Sequence, residues 1–198
     1  MRVPLAWSAL FASFALLLAG CHALPPIATT PWPMRRAELQ RIDSYAFTAQ
    51  LAAATASEGF SASMRWQQQG PSSDVLLRAP LGVGGAHLVY DGSLLRVTAS
   101  DGSQLEGEAA RGELVRLLGF EPPLASLRYW LLGVPAPADP AAIESLDATQ
   151  RLARLQQGDW QVDYGEYLRS GTQWLPRRVS IQRGALRLKL RVSSWQLP

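Results

Sequence analysis

Leu186, Leu188, Leu190 and Val192 alternate with Arg187, Lys189 and Arg191 near the end of the chain. Only an extended strand separates these two sets onto opposite faces. One face is aliphatic and the other cationic. The strand therefore belongs to an antiparallel sheet that is dry on one side and wet on the other. The same period of two recurs. Phe60, Ala62, Met64 and Trp66 alternate with Ser61, Ser63, Arg65 and Gln67. Gly70-Pro71-Ser72-Ser73 reads as a turn into a partner strand that carries Val75 and Leu77. A strand through His87 to Tyr90 reaches Asp91-Gly92, a hairpin signal leading into Leu94 to Thr98. Asp101-Gly102 is a second, leading into Leu105 to Ala109. Further strands are expected over Thr149 to Gln156, Trp160 to Tyr164 and Trp174 to Gln182.

Three segments carry a helical period instead. Arg35 to Tyr45 places Leu39 and Ile42 on one side and charges on the other. Leu114, Val115, Leu117 and Leu118 make a helical face that Gly119 and Pro122-Pro123 end. Leu124, Leu127 and Leu131, with Tyr129-Trp130, make a shorter helix stopped by Gly133 and Pro135; Pro135 to Pro140 is a loop. A sheet of about ten or eleven strands with one apolar face curls. The expected fold is mainly β, a large curled antiparallel sheet forming an incomplete barrel. Two or three short helices serve as a lid over an apolar cavity. Candidate lining residues are Met64, Trp66, Val75, Leu77, Leu117, Leu127, Trp130, Leu131, Val162, Leu188 and Leu190. From patterning alone, a solid core built of the same residues is the simpler account.

The N-terminus carries a processing signal. Arg2 precedes Leu5 to Leu18, 14 residues without a charge. That is the length of a signal-peptide apolar region and short for a membrane span. Leu18-Ala19-Gly20-Cys21 then offers an aliphatic residue, two small residues and the only cysteine. This pattern suits a lipoprotein signal peptidase and a diacylglyceryl thioether on Cys21. The expected organisation is a signal peptide over 1–20, a tether over 21–33 and one domain over 34–198. The tether contains Pro25, Pro26, Pro31 and Pro33. The lipid on Cys21 provides the membrane anchor, with two or three acyl chains expected. Without Arg2, 18 basic residues face 16 acidic ones. This balance is too even to argue for nucleic acid.

Catalytic chemistry finds little to use. The histidines are His22, beside the lipidation site, and His87, inside a strand. Metal sites of the His/Cys type lack ligands, and the nucleophile-elbow and phosphate-loop patterns are missing. Glu106 and Glu108 would share a strand face, and Asp159, Asp163 and Glu166 cluster, but solvated strand carboxylates explain both better than glycoside chemistry. No enzyme activity, cofactor or metal is expected. The loop Pro80-Leu81-Gly82 is more informative. Proline and glycine keep it out of the sheet, so Leu81 either projects into water and dips into a membrane or folds back onto the sheet.

Several segments together resemble a known family. They are the lipobox, Phe60 to Gln68, Ala79-Pro80-Leu81-Gly82, Leu127-Arg128-Tyr129-Trp130-Leu131-Leu132-Gly133-Val134-Pro135, Gly158 to Tyr164 and Leu175-Pro176-Arg177-Arg178. In this order they resemble the outer-membrane lipoprotein receptor LolB family over essentially the whole mature chain. The resemblance implies a monomer with an incomplete barrel and a helical lid. It implies a protein that accepts acylated lipoproteins from the periplasmic carrier LolA and inserts them into the outer membrane's inner leaflet. Leu81 falls on the family's membrane-insertion leucine. The surrounding Ala79 and Val83-Gly84-Gly85 depart from the usual loop in having more glycine and less polarity. Alternatives are a β domain serving envelope assembly, or one binding another amphiphile.

Overall fold

The computed structural model describes residues 30–198 except 56–58, 81–83 and 138–139, and it leaves out the side chains of Leu117 and Leu118. Cys21 and Leu81 lie outside the described residues. Helix α1 is Trp32–Gln40. A first meander follows: β1 Ser44–Ala54, β2 Gly59–Gln69, β3 Ser72–Arg78, β4 Gly85–Tyr90, β5 Leu95–Ala99 and β6 Gln104–Glu106. Helices α2 Gly107–Leu118 and α3 Leu124–Trp130 come next. A second meander closes the chain: β7 Ala142–Leu146, β8 Leu152–Gln157, β9 Trp160–Ser170, β10 Gln173–Arg183 and β11 Leu186–Gln196.

All eleven strands form one antiparallel sheet in the order β6-β5-β4-β3-β2-β1-β11-β10-β9-β8-β7. The two meanders join in the middle, where β1 pairs with both β2 and β11. The first meander ends at one edge and the second begins at the other. The connection through α2 and α3 must therefore cross the sheet, and it does so over the apolar face. Leu88 of β4 and Ile181 of β10 line the same cavity across five strand spacings. A flat sheet would hold them about 24 Å apart. The sheet is strongly curled, while β6 and β7 remain edges that do not pair with each other.

The alternation expected for β11 is present, with every second residue from Leu186 to Val192 buried. Other boundaries differ from expectation. The helix expected over Arg35 to Tyr45 occupies Trp32–Gln40, because Pro31 and Pro33 serve its first turn and Tyr45 already points into the core from β1. It thus starts within the segment assigned to the tether. Strand β1 was not expected, since its alanines have low strand propensity; yet Tyr45, Phe47, Ala49, Leu51 and Ala53 alternate and are all buried. Strand β7 lies in a segment to which no element was assigned from the sequence. The strand expected to run to Ala109 ends at Glu106, where Gly107 (φ +57) turns into α2. Every buried apolar residue among those described lies between Trp32 and Trp195.

Candidate functional site

Side-chain size falls along the inward faces of the central strands. At the Gly70 end, Tyr45, Phe47, Trp66 and Trp195 stack with ring centroids 4.8 to 6.4 Å apart and fill the curl. Toward the other end the inward positions include Ala49, Ala53, Ala62 and Ala86, all buried, among leucines such as Leu51 and Leu188. Small residues on a curled sheet leave space that the crossing helices must fill. They fill it incompletely. A cavity of ≈ 50 Å³ remains, bounded by strand residues such as Leu51, Leu77 and Leu190 and by Phe120, Pro122, Leu124 and Leu127 from the helical connection. Every lining side chain is apolar. Room for a few waters with no polar partner is space that stays dry.

Helix α3 and the turn after it form a fixed wall. The Tyr45 hydroxyl donates to the Arg128 carbonyl at 2.6 Å, and Arg128 Nη1 donates to the Gly70 carbonyl at 2.6 Å. Arg128 also lies 4.6 Å over the Tyr129 ring. The Trp130 indole donates to Gln157 Oε1 at 2.8 Å, and the Tyr164 hydroxyl donates to the Trp130 carbonyl at 2.9 Å. Gln157, on β8, also accepts from the Ala136 amide at 3.0 Å and donates to the carbonyls of Ala136 and Pro140. Burial pushes the Tyr45 and Tyr164 phenols far up, so both remain neutral donors. Gly133 ends the wall at φ +79. A Cβ there would meet Pro176 Cγ at 2.9 Å.

Helix α2 is held differently. Ala110 and Leu114 are fully buried against the β5–β6 edge, while Val115 is 45% exposed. Arg111 pairs with Glu108 at 2.6 Å and with Glu121 at 3.0 Å, and Arg116 pairs with Glu113 at 2.5 Å. These pairs tie α2 to itself and to the link leading to α3. Gly119 ends the helix in the left-handed region, close against Thr55.

Among the expected lining residues, Met64, Trp66, Val75, Leu77, Leu127, Leu131, Leu188 and Leu190 border the cavity. Trp130 is buried beside it, its ring 5.8 Å from Trp160, and Val162 is fully buried on β9. The Leu117 side chain is outside the described residues. Leu51, Leu88, Phe120, Pro122, Leu124 and Ile181 also line the cavity and were not expected there. The alternation of β1 would have given Leu51. The acidic groups considered for catalysis lie elsewhere. Glu106 and Glu108 share no strand face: Glu106 closes β6 and pairs with Arg96 at 2.7 Å, whereas Glu108 is in α2. Asp163 pairs with Arg154 at 2.5 Å and Glu166 with Arg178 at 2.5 Å. His87 Nε2 meets Asp74 Oδ1 at 2.9 Å across β3 and β4.

Fold and site together define an open, curled antiparallel sheet whose apolar cavity is bordered by strands and by the crossover connection. Solved structures share this architecture. A LolA superfamily protein from Nitrosomonas europaea superposes with a TM-score of 0.52 at 12% identity, covering 85% of this chain and 94% of that one. A putative outer membrane lipoprotein-sorting protein domain from Vibrio parahaemolyticus gives 0.52 at 10% identity, covering 83% and 89%. The family model described as outer membrane lipoprotein LolB matches residues 43–195. Outer-membrane lipoprotein LolB of Nitrosococcus oceani is 35% identical over 187 residues, 92% of this chain and 93% of that protein. Its counterpart in Stutzerimonas stutzeri is 31% identical over 189 residues, 92% and 91% respectively. The chain belongs to the LolB family.

Proposed function

We propose that this chain is an outer-membrane lipoprotein, anchored on the periplasmic face through acylated Cys21, that receives lipoproteins from a LolA-type carrier and places them in the inner leaflet. The observation that carries the reading is the wholly apolar cavity beneath the crossover connection in a chain of this family. The cargo's acyl chains occupy that cavity. Each methylene withdrawn from water contributes about 0.8 kcal/mol, so the chains cross the periplasm only inside protein. No covalent step occurs, and neither cofactor nor metal takes part. The protein acts as a monomer, and Leu81 meets the bilayer at delivery.

The cavity of ≈ 50 Å³ is far smaller than ligand pockets of about 300–1,000 Å³. Uptake therefore requires the connection to open. The part that moves is α2 with residues 119–123, whose ion pairs are exposed and local, while α3 stays in place. Once the chains leave, the apolar walls close again, and this favours onward release without a nucleotide.

The test uses mature chain with Cys21 replaced, mixed with carrier loaded with a radiolabelled lipoprotein. Label is expected to move to this protein. The Leu81→Glu variant is expected to accept label and fail to deliver it to vesicles. Label retained by a carrier that does discharge to an established receptor overturns the proposal.

A further inference from the structure

The outward face of the central sheet carries a charge pattern that the fold does not need. Strands β2, β1, β11 and β10 contain no Asp or Glu. Arg187, Lys189 and Arg191 stand on the wet face of β11 at every second residue, about 7 Å apart. Arg191 lies directly opposite Arg178 of β10, and Arg78 ends the same cross-strand row through Gln50 and Ser63. Like charges facing one another across strands are destabilising. Among the described residues, Arg65, Arg78, Arg187, Lys189 and Arg191 make no ion pair. The carboxylates facing this surface from β9, Asp163 and Glu166, are engaged with Arg154 and with Arg177 and Arg178.

The surface is also shaped. Two open depressions meet at Gln50. One of ≈ 600 Å³ is bordered by Lys189, Arg191 and Arg178, together with Asp163, and has Ala52, Ser61 and Gly165 on its floor. The other, of ≈ 260 Å³, is bordered by Arg65 and Arg78. Small side chains between long cationic ones leave room for a bulky anion to approach the sheet.

The geometry points to this face as a membrane-apposed surface that takes the phosphate groups of anionic phospholipids into its two basic depressions. The choice of occupant rests on the outer-membrane placement proposed above and on charge complementarity. Arginine suits the role because its fork of donors matches phosphate oxygens. A cationic face beside an anionic leaflet holds the domain down in one orientation, adding to a lipid anchor that by itself fixes none. The attraction acts within a Debye length, so contact is reversible.

The test is sedimentation of mature Cys21→Ala protein with phosphatidylethanolamine vesicles, with and without phosphatidylglycerol. Binding is expected only with phosphatidylglycerol, falling steeply with salt. Neutralising Lys189→Gln and Arg191→Gln together is expected to weaken it roughly 30-fold, about fivefold per cation. Arg96→Gln with Arg169→Gln removes the same net charge from elsewhere and is expected to leave binding within about twofold. Equal losses from the two pairs would reduce the effect to net charge and overturn the proposal. So would binding indifferent to Lys189 and Arg191, which would leave this face for an acidic protein. Competition by millimolar inorganic phosphate would overturn it in favour of a free-phosphate site. Carrier-to-protein transfer, measured without vesicles, is expected to be unchanged in the Lys189/Arg191 variant. Its failure in the unmodified chain would sink the receptor proposal alone and leave the vesicle result standing.

Discussion

Helices α2 and α3 are consecutive parts of one crossover connection, yet the sheet holds them in opposite ways. α3 is only seven residues long, too short to persist by itself. It is fixed by hydrogen bonds to β1, β8, β9 and the Gly70 turn, buried where Gln157 and Tyr164 make them and half-buried where Tyr45 and Arg128 do. α2 is longer, at 12 residues, and among its described side chains Ala110 and Leu114 are buried against an edge, beside a set of exposed ion pairs. Exposed pairs contribute little, and buried hydrogen bonds are costly to break. The lesson is that a helix's length says little about how firmly it sits. The short one carries the long-range hydrogen bonds, and the long one is the part proposed to move.

The comparison can be broken most sharply at Trp130. Trp130→Ala removes a fully buried ring and is expected to cost roughly 3–5 kcal/mol in urea unfolding. A cost under about 1 kcal/mol would mean that α3 is not a fixed wall. Next comes Gln157→Leu, which strands the Trp130 indole N–H and the Ala136 amide. The expected cost is about 2–6 kcal/mol, since each buried orphan donor costs about 1–3 kcal/mol. Tyr45→Phe removes one hydroxyl from the Arg128 carbonyl and is expected to lower stability by about 1 kcal/mol, read from the unfolding midpoint. The smallest effect is expected on α2. Arg116→Ala should change stability by less than about 0.5 kcal/mol. Amides of α2 should exchange with deuterium faster than those of α3, both before and after that change. Equal protection in the two helices would remove the distinction between wall and lid.

An acid titration sharpens the same contrast at the sheet edge. Asp147 caps the β7–β8 turn, its carboxylate accepting from the amides of Thr149 and Arg151 at 2.7 and 3.0 Å. Burial works to raise its pKa, but these donors outweigh it and hold the carboxyl below the usual range. Stability from a depressed carboxyl is present above its unfolded pKa and is lost as pH falls through the folded one. Asp147→Asn is therefore expected to lower stability at neutral pH and to lose that deficit as pH falls through the folded pKa, so its acid unfolding is flatter than that of the unmodified chain.

Much of this molecule was legible in its residues. The alternation of β11, the glycines and prolines that stop α2 and α3, and the order of strand and helix segments required a curled sheet with a helical interruption. Eight of the cavity's bordering residues could be read from strand and helix faces. Two strands were not legible. β1 is rich in alanine, and alternating alanines resemble a helix or a linker until neighbours on both sides supply their hydrogen bonds. β7 is an edge strand with an exposed Ile143 and no dry face. Leu51 was missed with β1, and Ile181 was missed because β10 meets β4 only through curling. Phe120 and Pro122 sit in the link, where no periodicity operates.

By itself, the sequence determined which residues avoid water and at what period, because that depends on side-chain chemistry and on local backbone geometry. It also determined the lipidation signal and the stops of both crossover helices. Only the tertiary structure decided that the first strand would lie at the centre and pair with the last. Strand pairing is a hydrogen-bond choice between backbones that are chemically alike. The same level decided which helix would be fixed. A buried tyrosine or glutamine is an anchor only when a distant strand delivers it to an unsatisfied carbonyl or N–H, and local sequence carries no record of that meeting.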